Sequence, residues 1–226
     1  MSAPRGLFVT GTDTGVGKTV VACSLLRAFR ARGIDVGGMK PIETGVGSEG
    51  PLDALALRKA AGGADALDDV CPRRFTLPAA PTVAARAEGR SVEVWAIHKA
   101  YERMRARHDC VIVEGAGGLL VPATEELSMA DLARELDLPL LIVARASLGT
   151  INHTLLSLEA AVERGLAVVG VVISHADGEL TGADAANLTA LRDALGSALL
   201  GELPPLVAGT PPADTLIDID RLLDAI

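Results

Sequence analysis

The chain has 226 residues, enough for one sizeable α/β core, and its 49% hydrophobic and 22% charged residues are ordinary for a globular protein. A net charge of -8 and an aromatic content of only 2% argue against DNA or RNA as a partner, because such partners need basic patches and stacking rings. No apolar run reaches the ~20 residues of a membrane span, and three widely spaced cysteines fit reduced thiols, so we expect a cytoplasmic protein with no membrane partner.

The first predicted strand begins near residue 7 and leads into a phosphate-binding loop; residues 1–6 leave no room for a signal peptide. Residues 11–19 read Gly-Thr-Asp-Thr-Gly-Val-Gly-Lys-Thr. Glycines let backbone N–H groups converge on an anion, and the helix that follows adds its partial positive charge. In such a loop Lys18 reaches the β- and γ-phosphates, and the Thr19 hydroxyl binds Mg2+.

One glycine of this loop is misplaced. The strict pattern has a glycine five residues before Gly17, where this chain has Thr12, and Gly11 comes one residue early. A glycine-rich turn with an incidental lysine is therefore the alternative. The apolar strand before the loop and the helical pattern after it favour phosphate binding.

Helices and apolar strands alternate along the rest of the chain. This alternation predicts an α/β fold with a parallel sheet that helices cover on both faces, in a single domain over residues 1–226. We expect Ser91 and Ser128 to cap helices, and residues 42–51 to form a flexible loop. The predicted helices are 18–32, 53–61, 83–87, 92–107, 128–136, 152–164, 183–195 and one from about 217; the predicted strands are 36–39, 74–77, 110–114, 139–143, 168–174 and 199–201.

Ligands on such sheets bind at the carboxyl ends of the strands, which here are followed by several polar or glycine-rich segments. Glu114 ends its strand as a second carboxylate for Mg2+ would, and residues 115–118 add backbone donors or are simply a flexible turn. Lys40 could neutralise charge on a phosphoryl group in transfer, or be a surface lysine. Asp53 is a further carboxylate candidate, or an ordinary first-turn residue.

Residues 148–153 precede a predicted helix, whose free backbone donors could bind a carboxylate. The four histidines, His98, His108, His153 and His175, lack the spacing of zinc ligands. No nucleophilic triad or Cys–His pair suggests itself.

Six segments together resemble the ATP-dependent dethiobiotin synthetases, from about residue 6 to the C-terminus. These segments are 11–19, Lys-Pro-Ile-Glu-Thr-Gly at 40–45, Asp-Ala-Leu-Ala-Leu at 53–57, Glu-Gly-Ala-Gly-Gly at 114–118, Leu-Gly-Thr-Ile-Asn-His-Thr at 148–154 and Gly-Glu-Leu-Pro at 201–204. The resemblance implies a P-loop NTPase-like fold and a homodimer with active sites near its interface. It implies a ligase of biotin biosynthesis that makes the ureido ring of dethiobiotin from 7,8-diaminononanoate, CO2 and ATP, with Mg2+.

The resemblance also implies roles for individual residues. Lys18 and Lys40 match the catalytic phosphate and carbamate lysines, and Thr19, Asp53 and Glu114 match the metal-binding set. The implied diamine contacts are Thr14, Lys40, Thr44 and, at a helix start that would hold the substrate carboxylate, Gly149, Thr150, Ile151 and Asn152. The implied nucleotide contacts are Thr14, Gly15, Val16, Gly17, Lys18, Thr19, Val20, Asp53, Glu114, Gly115, Ala116, Gly117, Ser174, Leu203, Pro204 and Pro205.

Two positions depart from the family. Some members have an acidic residue where this chain has Gly15, so no side-chain role carries over there. Ser174, followed by His175, stands where the family has an adenine-reading Asn, and a hydroxyl cannot make the bidentate contact of an amide. The choice of base therefore stays open.

Three other functions remain to be compared with the cyclo-ligase. A deviant-Walker regulatory ATPase of the chromosome or division-site positioning type would carry a signature lysine where this chain has Asp13. A cobyrinate-type amide synthetase would need a glutaminase domain, for which the chain is too short. A nucleotide-binding module without activity would leave Lys40, Asp53 and the helix start at Asn152 unexplained.

Overall fold

The computed structural model describes residues 6–176, 181–204 and 216–226. Strands and helices alternate through most of this part of the chain. The strands are β1 (Gly6–Gly11), β2 (Val36–Met39), β3 (Ile42–Glu43), β4 (Arg73–Arg74), β5 (Cys110–Gly118), β6 (Leu140–Arg145), β7 (Val168–Ser174) and β8 (Leu199–Leu203). The helices are α1 (Lys18–Ala31), α2 (Leu52–Ala60), α3 (Leu67–Val70), α4 (Pro81–Ala87), α5 (Val94–Arg107), α6 (Met129–Glu135), α7 (Thr150–Glu163), α8 (Gly182–Leu195) and α9 (Ile219–Leu223).

Six strands form one parallel sheet in the order β2-β5-β1-β6-β7-β8. Strand β1 lies between β5 and β6, and all of its residues are buried. Leu7 and Val9 pack with α1 on one face, whereas Phe8 packs with α5 and α6 on the other. This two-sided burial explains why the strands are continuous apolar runs, and it confirms the predicted parallel sheet with helices on both faces.

The segment predicted as a loop at residues 42–51 begins instead with strand β3. Ile42 and Glu43 pair in parallel with Arg73 and Arg74 of β4, and the Phe75 N–H donates to the Glu43 carbonyl at 2.9 Å. The predicted strand at 74–77 is therefore shorter and starts one residue earlier. Strands of two residues carry no periodicity, so only their partner defines them.

Two other local predictions were wrong and one was right. Helix α5 begins at Val94 rather than residue 92, so Glu93 and not the predicted Ser91 occupies its cap position. The Glu93 side chain pairs with Arg73 at 2.7 Å and does not cap the helix. Strand β5 continues to Gly118 instead of turning after Glu114, since Gly118 pairs with Gly11 beyond a register shift. Ser128 caps α6 as predicted, in a capping box with Asp131.

None of the helices in the described part of the chain has the length and apolar character that a bilayer crossing requires.

His108, just after α5, joins two carboxylates from other parts of the fold. Its Nδ1 lies 2.7 Å from Asp35 Oδ1 and its Nε2 3.1 Å from Asp65 Oδ1. Burial opposes protonation of the ring, but hydrogen bonds to Asp35 and Asp65 outweigh it and raise the pKa of His108. A raised pKa in the folded state means that the imidazolium stabilises the fold fully below the unfolded pKa of about 6.5, and that this contribution disappears as pH rises through the folded pKa.

We therefore expect His108→Gln to lower the free energy of unfolding by about 1 kcal/mol near pH 6, with the loss shrinking as pH rises through the raised pKa of His108. The effect is modest because Asp35 is exposed and water screens the pair. Urea unfolding of both proteins at several pH values measures it. A difference that stays constant with pH would contradict the charged bridge.

Candidate active site

The loop between β1 and α1 has the backbone shape of a phosphate cradle. Gly15 and Gly17 have φ of 74° and 93°, in the left-handed region that favours glycine. A Cβ on Gly11 would lie 2.7 Å from Val16 Cγ2 and 3.1 Å from Lys18 Nζ. Helix α1 starts at Lys18 and no side chain in the described structure caps its first turn, so its N–H groups can bind an anion.

Lys18 is buried under this loop. Its ammonium donates to the Asp13 carbonyl at 2.8 Å. Burial lowers the pKa of Lys18 to about 8, and the nearby charge of Lys40 adds to this lowering, against the neighbouring carboxylates that raise it. A bound phosphate would supply a counter-charge, since an opposite charge at contact distance favours the protonated form.

Lys40, Asp53 and Glu114 form an ionic cluster beside the loop, in which Lys40 and Glu114 are buried and Asp53 is half-exposed. Lys40 Nζ lies 2.6 Å from Glu114 Oε1 and 2.8 Å from Asp53 Oδ2. Burial opposes the charge on Lys40, but Glu114 and Asp53 outweigh it and raise its pKa, so the ammonium stays charged. Burial also acts against the charge of Asp53, but the Lys40 ammonium and the Thr19 hydroxyl outweigh it and lower the pKa of Asp53. Residues from α1, α2, β5 and the end of β2 thus meet at one point.

The cluster fits a magnesium ion. Thr19 Oγ1 donates to Glu114 Oε1 at 2.9 Å, and Glu114 Oε2 is buried with no hydrogen-bond partner among the described residues. A buried carboxylate oxygen without a partner suits a metal ligand. No group of three His, Cys, Asp or Glu in the described residues could hold a metal alone. Mg2+ in nucleotide sites typically has one or two protein carboxylates, with phosphate and water oxygens as the remaining ligands.

A cleft of about 610 Å3 lies over the loop and the cluster. Most of the residues singled out from the sequence border it, so the strand ends meet as the parallel sheet predicts. Those residues are Thr14, Gly15, Gly17, Lys18, Thr19, Val20, Lys40, Thr44, Asp53, Glu114, Ala116 and Gly117.

Other candidate nucleotide contacts among the described residues do not line this cleft. Val16 and Leu203 are buried in the apolar core, and the Gly115 backbone packs against Phe8 while its carbonyl faces Lys40 at 3.4 Å. Ser174 is buried against the loop: a Cβ on Gly17 would lie 2.4 Å from Ser174 Oγ. Pro204 is exposed just after β8, and Pro205 lies outside the described residues.

The helix start at residues 149–152 does not border this cleft in the described structure. Gly149 occupies the cap position of α7 with φ of 89°, Thr150 is buried, and Asn152 is exposed. A second cavity of about 420 Å3 lies between the loop and α7, lined by Asp13, Thr14 and His153 among others. Thr14 therefore borders both cavities.

Two charged residues at the site have no counterpart in the sequence-based prediction. Glu43, expected in a mobile loop, is buried, lines the cleft and accepts the backbone N–H groups of Asp53 and Ala54 at 3.0 and 2.9 Å. Burial raises the pKa of Glu43, and these two bonds partly offset the rise. Arg145, at the end of β6, donates to the Thr14 carbonyl at 2.7 Å. Its place at a strand end was the one available signal.

Comparison with known proteins gives two kinds of match. A family model described as "AAA domain" matches residues 5–213. The chain is 53% identical to the "ATP-dependent dethiobiotin synthetase BioD" of Anaeromyxobacter dehalogenans (strain 2CP-C) over 82% of the chain and 86% of that protein. It is 43% identical to the protein of the same name from Aromatoleum aromaticum over 94% of the chain and 96% of the relative.

Solved structures match at the level of the fold. The Aquifex aeolicus "MinC:MinD cell division protein complex" aligns with a TM-score of 0.58 and 13% identity, over 97% of this chain and 96% of the matched one. A "ParA Family ATPase" from Chlorobium tepidum TLS aligns with a TM-score of 0.54 and 16% identity, over 90% of this chain and 86% of the other. At these identities the likeness concerns the P-loop NTPase architecture alone.

Proposed function

The chain belongs to the ATP-dependent dethiobiotin synthetases, and from this membership we propose that residues 1–226 act as one domain that closes the ureido ring of dethiobiotin in biotin biosynthesis. The substrates are 7,8-diaminononanoate, CO2 and ATP. The observation that carries the proposal is the Lys40–Asp53–Glu114 cluster at the edge of the phosphate loop. Together with Lys18 under the loop, the cluster supplies two cations where a phosphoryl group would pass from nucleotide to acceptor.

The reaction has three chemical steps. One amine of the diamine adds to CO2 and releases a proton, which gives a carbamate. A carbamate oxygen then attacks the γ-phosphorus and ADP leaves, which gives a carbamic-phosphoric anhydride. The second amine attacks the carbamate carbon and loses a proton while phosphate leaves, which closes the ring. Phosphoryl transfer needs alignment and charge stabilisation more than covalent help.

The residues of the loop and cluster supply both needs. The N–H groups of residues 15–19, which belong to the glycine turn and the start of α1, hold the β- and γ-phosphates together with Lys18. Lys40 stays charged in its buried setting and neutralises negative charge that develops as the phosphoryl group moves. Thr14 and Thr44 border the same cleft, and we assign their hydroxyls to hydrogen bonds with the diamine.

Thr19, Asp53 and Glu114 would hold Mg2+, and their hydroxyl and carboxylate oxygens fit its preference for oxygen ligands. When bound, the ion supplies positive charge that offsets the charge of the phosphate oxygens. Glu114 Oε2, which accepts no hydrogen bond from any described residue, supports this assignment.

We further propose that the active protein is a cytoplasmic homodimer. Helix α7 and its surroundings expose large apolar side chains, with Leu148 and Val162 each 72% exposed and Leu120 and Leu156 more than half exposed. Apolar side chains clustered on a surface mark an interaction site. A second copy on this face would cover them and close the carboxylate pocket at residues 149–152. The three buried, free cysteines suit a reducing compartment.

Purified protein should consume ATP only when both 7,8-diaminononanoate and bicarbonate are present, because the phosphoryl acceptor is the carbamate. We expect omission of either one to lower phosphate release by at least about 100-fold, a reduction similar to the loss of one positioned group in the transition state. A coupled ADP assay with mass spectrometry of the product measures it. Vigorous hydrolysis without diamine would contradict the proposal and favour the positioning ATPase, whose fold this chain shares.

A further inference from the structure

We propose that Glu43 is a positioning residue: it ties α2 to β3 and so fixes where Asp53 meets Lys40. This inference rests on the proposed function, since the cluster it positions is the one assigned to phosphoryl transfer. Glu43 itself contacts neither Lys40 nor Glu114 by a hydrogen bond among the described contacts, so its effect passes through α2.

The carboxylate of Glu43 does the work of a helix cap from a distance. The N-cap residue of α2 is Pro51, which has no side-chain acceptor. Glu43 Oε1 accepts from the N–H of Asp53, and Oε2 accepts from the N–H of Ala54. These are the second and third helical residues, whose donors a Ser or Asp at the cap would normally satisfy.

Glu43 is in turn fixed to the segment that carries Lys40. Its backbone belongs to β3, where the Glu43 carbonyl accepts from the Phe75 N–H and Ile42 pairs with Arg73 of β4. The Lys40 N–H, three residues before Glu43, donates to the Val70 carbonyl at 2.8 Å. The Glu43 side chain therefore links the segment that carries Lys40 to the first turn of α2, which carries Asp53. Lys40 Nζ lies 2.8 Å from Asp53 Oδ2.

A simple cap would not need a carboxylate here. Burial disfavours the charged form of Glu43, and the like charge of Asp53 disfavours it further. A serine at the cap position would satisfy a donor of the same turn without burying a charge. A distant carboxylate achieves what a local hydroxyl cannot, because it also sets the position of α2 relative to β3.

The test compares Glu43→Gln with and without Pro51→Ser. Gln keeps one oxygen acceptor and turns an NH2 group toward the other donor, so we expect kcat to fall about tenfold, within the range for one unsatisfied buried donor. KM for ATP should stay within about twofold, because the phosphate loop lies on other elements. In the double variant the hydroxyl introduced by Pro51→Ser caps α2 locally, so Tm should recover while kcat stays about tenfold low.

Matched controls are Pro51→Ser alone and Glu49→Gln, which removes an exposed carboxylate from the same loop. Both should keep kcat within about twofold of wild type. Wild-type kcat in a folded Glu43→Gln protein overturns the proposal. So does recovery of kcat together with Tm in the double variant, because Glu43 would then be only a cap. If Glu43→Gln alone does not fold, kcat of the double variant tests the proposal in its place.

Amide hydrogen exchange separates this inference from the proposed function. At least one of the two N–H groups of Asp53 and Ala54, the one that faces the new NH2 group, should exchange at least about tenfold faster in Glu43→Gln than in wild type, whatever reaction the protein catalyses. Unchanged exchange there overturns the tie itself. Absence of diamine-dependent ATP consumption in the wild type would instead overturn the proposed function and leave the exchange result standing.

Discussion

Lys40→Ala is expected to lower kcat by about 100- to 1,000-fold and to leave ATP affinity within about threefold. Lys40 is the cation between Asp53 and Glu114, and its removal leaves two carboxylates facing each other without this counter-charge. ATP binding should persist because the phosphate loop and Lys18 lie on β1 and α1. Steady-state kinetics and calorimetric titration with a non-hydrolysable ATP analogue measure the two quantities separately.

Lys59→Ala is the matched control, since Lys59 is exposed on α2, the helix that carries Asp53. It removes a lysine charge from an exposed position outside the cluster and should keep kcat within about twofold. If Lys40→Ala retained kcat, Lys40 would have no part in transfer. If it lost ATP affinity as strongly as kcat, its role would be ground-state binding of the nucleotide.

The sequence predicts the phosphate loop well, because the residues of this part of the site are consecutive in the chain. Lys18 and Thr19 follow a glycine turn that fixes their direction, so the motif alone places them. Glu114 follows from a second rule, because the carboxyl ends of parallel strands meet at one edge. That Lys40 and Asp53 touch depends on how α2 packs against β2, and their spacing along the chain does not encode it.

The features that sequence missed are non-local contacts of single side chains. Glu43 caps a helix that begins nine residues later, and Pro51 at the cap position was the one local sign that a cap comes from elsewhere. Ser174 was compared with an adenine-reading Asn, but its hydroxyl lies against Gly17. Strand β3 exists because β4 pairs with it. Patterns of period 2 or 3.6 carry none of this information.

The fold by itself does not distinguish the cyclo-ligase from the positioning ATPases. The MinC:MinD and ParA family structures align over nearly the whole chain, so they share its sheet architecture. Asp13, which occupies the position where a signature lysine is expected in a positioning ATPase, accepts the N–H of Thr14 within the loop at 2.6 Å. The curated relatives carry the name of the cyclo-ligase, ATP-dependent dethiobiotin synthetase.

Glu114→Gln is expected to lower kcat by about 100- to 1,000-fold and to raise the Mg2+ concentration needed for half-maximal rate by about tenfold. Both oxygens of Glu114 have a part in this. Oε1 accepts from Lys40 and Thr19, whereas Oε2 is buried without a partner in the described part of the chain and is the oxygen assigned to the metal. Gln keeps the shape but removes the charge, and one of its ends becomes a donor that faces cations.

Rates measured across a Mg2+ titration distinguish the two roles of Glu114. If it acts mainly as a metal ligand, excess Mg2+ should recover part of the lost rate, because mass action offsets a weaker site. If it acts mainly as the counter-charge of Lys40, the loss should persist at any Mg2+ concentration, and the free energy of unfolding should fall by about 1–3 kcal/mol since Asp53 remains as one partner. Glu126→Gln, at an exposed carboxylate, is the control. Wild-type kcat and Mg2+ response in Glu114→Gln would remove Glu114 from the site, because an uncharged amide can fill neither role.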